Sequence, residues 1–289
     1  MPRVWREHLA KDPSPAMLRQ VLPSRDELTE RCHFTIDPLK EQAPTTHKDS
    51  DFLLQKYSGR ALLMTTTRCF GNCRFCFRRH LRQLEKDAAE QTDYSHEIAQ
   101  LADDPHLREI ILSGGDPLTL PDPKLEKLLF GLAEIPHLRR VRIHTRAVSF
   151  CPERITEPLC EMLRKLSTHY GKACYAVLHV NHADELGPEA RDAIRKLLAA
   201  GVTLLHQGVL LRGVNDDVEI LRNLLETLVD LRVLPYYLHQ LDRVAGAAHF
   251  EVPVEEGDRL MDELRKTLSG YAVPRYVREI PGETSKTPV

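Results

Sequence analysis

The stretch MTTTRCFGNCRFCFRRH, residues 64–80, decides how the rest of this chain is interpreted. It carries three cysteines, Cys69, Cys73 and Cys76, with the spacing C-x3-C-x2-C. Three thiolates at this spacing can bind three corners of an iron–sulfur cube and leave the fourth iron without a protein ligand. An open iron lets a cluster act on a bound molecule as well as transfer electrons. The spacing therefore predicts a 4Fe–4S cluster with one reactive corner.

Other interpretations of this stretch remain open. His80 follows Cys76 by four residues and would complete a Cys3His zinc site, although structural zinc usually takes its ligands as two separated pairs. Arginines interleaved with phenylalanines can also stack on and pair with RNA. The arginines are Arg68, Arg74, Arg78, Arg79 and Arg82, and the phenylalanines are Phe70, Phe75 and Phe77.

Composition limits the class of protein. The chain has 289 residues, 42% hydrophobic and 28% charged, which is ordinary for a globular protein. Its formal net charge of −2 gives no overall attraction to nucleic acid or to an acidic membrane, so we expect neither as a partner. The odd total of seven cysteines, the scattered positions of the four outside this stretch and the lack of a signal peptide argue against a disulfide framework and favour the cytoplasm.

Short apolar runs alternate with amphipathic stretches after a polar, proline-rich beginning. We predict an N-terminal helical extension over residues 1–58 and a main domain over 59–289. Six strands and six helices are predicted in alternation, which indicates an α/β fold with a parallel sheet. Six units are too few for a closed eight-fold barrel and fit an incomplete (β/α)6 TIM-like barrel, open on one side. The predicted strands are 61–67, 109–115, 140–146, 174–181, 203–210 and 233–240, and the predicted helices are 94–103, 122–134, 153–169, 187–200, 216–230 and 255–268.

The unusual residues of the chain follow the predicted strands. Cys69 follows the first strand, Gly114, Gly115 and Asp116 end the second, and His179 ends the fourth. Active sites of β/α barrels are built at the carboxyl ends of the strands. We therefore expect these residues to lie around one site.

Several blocks outside the cysteine stretch add a specific resemblance. They are SGGDPL (113–118), VLLRGVND (209–216), PYYLHQLD (235–242), GAAHF (246–250), SGYAVP (269–274) and SKTP (285–288). Together with the cysteine stretch they resemble the lysine 2,3-aminomutase family of radical S-adenosylmethionine (SAM) enzymes. The resemblance covers residues 20–289 and is greatest to the branch that supplies (R)-β-lysine for elongation factor P.

The resemblance implies three cofactors: a 4Fe–4S cluster, SAM and pyridoxal 5'-phosphate (PLP). It implies that Lys286 is catalytic and binds PLP as a Schiff base, which requires an amine that can lose its proton. Arg60 and Gln207 match PLP-site positions. Gly114, Gly115, Asp116 and His179 match SAM-binding positions, although many members have Glu in place of Asp116.

The resemblance also implies a substrate site and a reaction. Arg78 matches the arginine that pairs with the substrate α-carboxylate, for which a guanidinium fork suits two oxygens. Asp242 and Glu279 match carboxylates that hold the substrate ε-ammonium, a charge pattern that favours lysine over glutamate. The implied reaction is isomerisation of L-lysine to β-lysine.

The implied partners are L-lysine, an electron donor and, indirectly, elongation factor P with its lysyl ligase. No structural zinc is expected, and the assembly is either monomeric or homo-oligomeric. The open alternatives are an aminomutase for another amino acid, synthesis of free β-lysine, and a non-catalytic iron–sulfur or zinc protein that binds RNA.

Overall fold

One sheet forms the centre of the molecule in the computed structural model, which describes residues 2–12, 14–41, 52–57, 59–80, 93–283 and 285–289. The described residues form nine strands, which lie side by side in chain order. The strands are β1 (Leu53–Tyr57), β2 (Arg60–Thr66), β3 (Glu109–Gly114), β4 (Arg140–Thr145), β5 (Ala173–His179), β6 (Thr203–Val209), β7 (Leu234–His239), β8 (Arg275–Arg278) and β9 (Thr287–Pro288). Strands β2 to β8 run parallel. At the two edges of the sheet, β1 pairs antiparallel with β2, and β9 pairs antiparallel with β8.

Helices connect the parallel strands and cover one face of the sheet. The helices between successive strands are Ser95–Asp103, Asp122–Ala133, Glu157–Thr168, Pro188–Ala199, Val218–Asp230 and Val254–Thr267. The remaining helices of the described chain are Arg3–Lys11, Pro15–Val21 and Ala147–Phe150. Short 3-10 turns occur at Arg25–Leu28, Pro117–Thr119, Pro152–Arg154, Ala183–Glu185, Ala248–Phe250 and Gly270–Ala272.

Side-chain caps begin some of the helices, and buried apolar faces hold them against the sheet. The Asp217 side chain accepts hydrogen bonds from two backbone N–H groups in the first turn of the helix Val218–Asp230, and Thr156 caps the helix Glu157–Thr168. On the inner face of Asp122–Ala133, Leu125, Leu129 and Leu132 are completely buried. Burial of each such side chain contributes about 1.5–3 kcal/mol. Packing against the sheet therefore stabilises these helices.

Apolar and polar side chains alternate along the strands, so the sheet has a second, polar face. In β4, Val141 and Ile143 pack in the main hydrophobic core, whereas their neighbours Arg142 and His144 point to the opposite face. The parallel strands therefore enclose charged and polar side chains on the side away from the helices. This concave face lies where a barrel would have its interior.

The predicted fold class is confirmed. All six predicted strands and all six predicted helices are present, and β1 and β9 do not pair, so the described sheet stays open like a partial barrel. The predicted helix 153–169 begins later, at Glu157, after a 3-10 turn, because Thr156 and Pro158 start a new helix there. Sequence reasoning missed the helix Arg3–Lys11, the edge strands β1 and β9, and the strand β8. The strand β1 lies within residues 1–58 and pairs with β2.

The N-terminal helices pack against the carboxyl end of the sheet. Trp5 is only 1% exposed, and its Nε1 donates a hydrogen bond to the carbonyl oxygen of Ser149 at 2.9 Å. Its ring meets Phe150 edge-on at 4.7 Å. No helix in the described part of the chain has both the length and the apolarity that crossing a bilayer requires.

Candidate active site

The cysteine loop begins directly after β2, at the carboxyl end of the sheet. Cys69, Cys73 and Cys76 are partly exposed and form no disulfide. Phe75, between the last two, is buried with a hydrophobic cluster and stacks on His179 at the end of β5, with ring centroids 5.6 Å apart. The fold therefore brings the predicted cluster ligands next to a predicted SAM-binding histidine.

The glycine pair at the end of β3, Gly114 and Gly115, holds the cysteine loop by close backbone contact. The N–H of Gly115 donates to the carbonyl oxygen of Thr66 at 2.5 Å, and the N–H of Asp116 donates to that of Arg68 at 2.7 Å. A Cβ on Gly115 would lie 2.1 Å from the Arg68 oxygen, and Gly114 has φ +105°. Only glycine fits both positions. Assignment of this pair to SAM stays a prediction, because its nearest contacts are with the loop.

Asp116 positions the ends of β3 and β4. Its buried carboxylate accepts hydrogen bonds from Thr145 Oγ1 at 2.9 Å, from the Arg146 N–H at 2.8 Å and from the Leu118 N–H at 3.0 Å. Burial raises the pKa of Asp116, and these hydrogen bonds oppose the rise. The carboxylate therefore joins the ends of β3 and β4 through these hydrogen bonds, and its contact with SAM stays a prediction.

A buried polar network behind the loop was missed by sequence reasoning. Arg146 Nη1 donates to Cys73 Sγ at 2.9 Å, and its Nη2 donates to Gln20 Oε1 at 2.5 Å and to Glu185 Oε2 at 2.9 Å. Gln20 also accepts the Arg74 N–H through its carbonyl oxygen at 2.8 Å. The only sequence signal was the position of Arg146 after a strand, because Gln20 and Glu185 lie far away in the chain.

Two arginines of the loop make ion pairs inside the protein. Glu27 accepts Arg74 Nε at 2.8 Å and Arg79 Nη2 at 2.6 Å. These contacts occupy two of the five arginines that suggested RNA binding, and Arg82 lies outside the described residues. His80 Nε2 lies 2.9 Å from the carbonyl oxygen of Ala245. The Nε2 atom of His80 therefore contacts a backbone carbonyl and not the three cysteines with which its spacing suggested a zinc site.

Arg78 forms a buried fork that holds a carboxylate. Its Nε and Nη2 each donate to one oxygen of Glu41 at 2.7 Å, and its Nη1 donates to Ser113 Oγ at 3.1 Å. Burial disfavours the charged guanidinium, but the negative charges of Glu41, Cys76 and Cys69 raise its pKa. Arg78 therefore stays a cation beside the cysteines. Sequence reasoning missed Glu41, which occupies the place predicted for the substrate carboxylate.

Lys286 and Glu279 meet at the opposite side of the concave face. Lys286 Nζ donates to Glu279 Oε2 at 2.7 Å and lies 5.6 Å from the centroid of the Tyr237 ring. Lys56 Nζ donates to the other oxygen of Glu279 at 2.6 Å. Burial raises the pKa of Glu279, but the two lysines outweigh it and lower the pKa to about 2. Glu279 is therefore a carboxylate that already accepts lysine ammonium groups.

Asp242 lies between the two charged regions. Burial raises its pKa to about 7; the charges of Lys286 and Arg78 oppose this rise, and those of Glu279 and Glu41 add to it. No described side chain donates a hydrogen bond to its carboxylate. Asp242 is therefore a titratable carboxylate that is available to a cationic ligand.

Histidines line the concave face as neutral rings. Burial, with the charges of Arg142 and Lys286, lowers the pKa of His144 well below its usual range, and burial with Lys286 lowers that of His239 to about 3. Burial also lowers the pKa of His179. Nε2 atoms of His144 and His179 are buried without a partner among the described residues. Buried polar atoms are usually hydrogen-bonded, so these two fit a face that takes a polar ligand.

The two remaining predicted residues lie in strands. Gln207 in β6 is the register partner of His179. Arg60 begins β2, at the end opposite Cys69, but its charge reaches Tyr237, the ring beside Lys286. A groove of about 490 Å³ opens there, lined by Tyr237, Lys286 and Val289 among others. Its size suits a small-molecule cofactor bound to Lys286.

The cysteine loop fits an anionic cluster. Among the described residues, no three His, Cys, Asp or Glu side chains converge as ligands of one metal ion. A cubane offers each thiolate a separate iron, so its ligands surround the group and do not converge on a point. The guanidinium of Arg146 contacts Cys73, and the charge of Arg78 reaches Cys69 and Cys76. These cations suit a cluster that carries negative charge.

Comparison with known proteins gives the family. The profile of the Radical SAM superfamily matches residues 63–225. The chain is 44% identical to L-lysine 2,3-aminomutase of Escherichia coli (strain K12), covering 100% of this chain and 82% of that protein. It is 39% identical to the enzyme of the same name from Buchnera aphidicola subsp. Baizongia pistaciae, covering 99% and 82%.

A solved structure supports the fold. A radical SAM methyltransferase from Sphaerobacter thermophilus superposes with a TM-score of 0.51 at 19% identity, covering 78% of this chain and 68% of that one. At this identity the likeness concerns the fold alone. It agrees with the open parallel sheet described above.

Proposed function

Because the chain belongs to the lysine 2,3-aminomutase family of the radical SAM superfamily, we propose that it isomerises L-lysine to β-lysine by moving the amino group from C2 to C3. Cys69, Cys73 and Cys76 would hold the 4Fe–4S cluster, and Lys286 would hold PLP. When bound, the cluster and SAM supply a radical that abstracts hydrogen, and PLP supplies a π system for the migrating nitrogen. The protein contributes binding, orientation and exclusion of water.

The distribution of charge on the concave face carries the proposal. A buried cation, Arg78, lies beside the cysteine loop, and two carboxylates, Asp242 and Glu279, lie toward Lys286. L-lysine carries a carboxylate at one end and an ammonium at the other. The face therefore matches lysine in the sign of both ends, whereas the second carboxylate of glutamate would meet negative charge.

Arg78 orients the carboxylate end of the substrate. A bidentate guanidinium–carboxylate pair sets direction as well as affinity. The contact with Glu41 supports this role, because the fork donates a hydrogen bond of 2.7 Å to each of two carboxylate oxygens. We propose that the substrate carboxylate displaces Glu41 when it binds.

Asp242 and Glu279 hold the ammonium end. Glu279 already accepts Lys286 Nζ at 2.7 Å and Lys56 Nζ at 2.6 Å, so its carboxylate is placed for ammonium groups. We propose that the substrate ammonium takes the place of Lys286 Nζ at Glu279 when Lys286 is bound to PLP. Asp242 supplies a second carboxylate that no described side chain occupies.

The test uses anaerobically purified, cluster-reconstituted protein with SAM, PLP and a chemical reductant. L-lysine, L-glutamate and L-arginine are supplied separately, and products are identified by mass spectrometry and chiral chromatography. We expect β-lysine from L-lysine alone. A β-amino product from another amino acid, with none from lysine, would reject lysine as the substrate.

Two lysines that share Glu279 provide a matched control for PLP binding. Borohydride should trap PLP on Lys286 in the wild type and in Lys56→Ala, and peptide mapping should find no adduct in Lys286→Ala. We expect Lys286→Ala to lose turnover. An adduct at another residue, with turnover retained in Lys286→Ala, would contradict the role of Lys286.

We further propose that the product is (R)-β-lysine, made in the cytoplasm for attachment to elongation factor P. The support is the resemblance of the quoted sequence blocks to that branch of the family. Intact-mass measurement of elongation factor P, incubated with its lysyl ligase and the reaction product, tests this. Attachment of the product in preference to L-lysine is expected, and equal attachment of both would favour synthesis of free β-lysine.

A further inference from the structure

Arg146 contacts one of the three cysteines directly. It follows β4 and is 7% exposed, and its Nη1 donates a hydrogen bond to Cys73 Sγ at 2.9 Å. Electrostatic interaction with that sulfur contributes to the raised pKa of Arg146, against the effect of burial. Arg146 therefore acts on one corner of the cluster site.

Aromatic rings surround this guanidinium. Its central carbon lies 4.3 Å from the centroid of Phe150, 5.4 Å from that of Trp5 and 5.6 Å from that of Phe75. Rings packed at these distances exclude water and also attract a cation. In a dry environment, charge interactions are screened much less than at the surface. The charge of Arg146 therefore acts strongly on its neighbours.

Glu185 balances part of that charge and is itself fixed. Its side chain is 0% exposed. Its Oε2 accepts Arg146 Nη2 at 2.9 Å and Ser149 Oγ at 3.0 Å, and its Oε1 accepts the Asn181 N–H at 2.9 Å and Gln20 Nε2 at 3.0 Å. A carboxylate held by so many donors cannot turn toward the cysteines. The pair therefore presents its cationic member to the sulfur.

We propose that Arg146 is a positioning residue that raises the reduction potential of the cluster through its hydrogen bond to Cys73, and that Glu185 limits this effect. Reduction adds one electron to the cluster and no proton. A cation beside a ligand sulfur stabilises the reduced, more negative form more than the oxidised form, and hydrogen bonds to the sulfurs are known to adjust cluster potentials. This inference rests on the proposed function.

The test is a redox titration of the reconstituted protein in the absence of SAM. Titanium(III) citrate supplies the electron, and the electron paramagnetic resonance signal of the reduced cluster measures the midpoint. Arg146→Gln should lower the equilibrium constant for reduction at least tenfold, about 59 mV for one electron, as expected on losing a charge-assisted hydrogen bond. Arg146→Lys should recover part of that change.

Glu185 makes the experiment independent of damage to the fold. Glu185→Gln removes the balancing charge and should raise the potential above that of the wild type. The double variant Arg146→Gln/Glu185→Gln leaves no buried unpaired charge, and its potential should lie between those of the wild type and Arg146→Gln. Loss of packing alone would not shift the two single variants in opposite directions.

Arg154→Gln is the matched control. Arg154 is also a largely buried arginine, but its side chain donates to the carbonyl oxygen of Leu118 at 2.7 Å and pairs with Asp122 at 2.6 Å. Its substitution should leave the potential unchanged. If Arg146→Gln assembles no cluster, three potentials decide: that of Glu185→Gln should lie above that of the wild type, and that of the double variant below it. Equal potentials in all variants would overturn this inference alone, whereas failure of the wild type to assemble a cluster would overturn the proposed function.

Discussion

Asp242 offers the sharpest test of substrate selection, because its charge changes near neutral pH. Burial raises its pKa to about 7, so the carboxyl is roughly half ionised there. Only the carboxylate attracts the substrate ammonium; below the pKa the neutral acid does not. We therefore expect kcat/KM for L-lysine to rise about tenfold between pH 6 and pH 8, following ionisation of this group in the free enzyme.

Asp242→Asn removes the charge and keeps the shape. Losing one hydrogen bond to a charged partner costs about 1.5–3 kcal/mol, which is about 10- to 150-fold in kcat/KM at pH 8. The pH step assigned to Asp242 should disappear in this variant. Its folded state should persist, because the substitution also removes repulsion from Glu279.

The assay is initial-rate formation of β-lysine from pH 6 to pH 8.5, with thermal unfolding of each variant as a check. Asp258→Asn, at an exposed position, is the matched control and should behave as the wild type. An Asp242→Asn enzyme that keeps kcat/KM within threefold of the wild type, with the same pH profile, would refute the assignment of Asp242 to the ammonium.

Two further predictions concern the carboxylate end of the site and the glycine pair. Glu41→Gln weakens the ion pair that occupies the Arg78 fork, so KM for L-lysine should fall about 3- to 10-fold, as expected for a partly buried pair worth about 1 kcal/mol. The control Glu30→Gln should have no effect on KM. An unchanged or higher KM in Glu41→Gln would contradict displacement of Glu41. Gly115→Ala places a Cβ 2.1 Å from the Arg68 oxygen, so it should lower the free energy of unfolding by about 1–3 kcal/mol and reduce the iron content of the protein. The control Gly270→Ala, whose Cβ would have no atom within 4 Å, should change neither. Equal unfolding temperatures of the two variants would show that the loop tolerates the side chain.

The alternation of elements was predictable because it depends on local patterns. Apolar runs and amphipathic stretches carry their own period, so each of the six strands and six helices could be located without knowing its neighbours. The edge strand β9 was not predictable, because its two residues, Thr287 and Pro288, are a strand only through pairing with β8. Within the predicted N-terminal helical extension, Arg25–Leu28 is only a 3-10 turn, and Glu27 in that turn accepts hydrogen bonds from two arginines of the cysteine loop.

The candidate site was predictable to the extent that its residues carry motifs. Cysteine spacing pointed to Cys69, Cys73 and Cys76, and the terminal SKTP block pointed to Lys286. Glu41 and Glu185 carry no motif. They matter because folding places one in the fork of Arg78 and the other against Arg146.

Local patterns in the chain were enough to indicate the β/α class and the cluster, because hydrophobic period and ligand spacing are properties of neighbouring residues. The resemblance of short sequence blocks implied the family and the other cofactors. Folding added the electrostatics. Burial raises the pKa of Asp242 to about 7, two lysines hold Glu279 as a carboxylate, and Arg146 lies against Cys73. These effects depend on distances between residues tens to hundreds of positions apart and on the exclusion of water, so they arise only when the sheet is assembled.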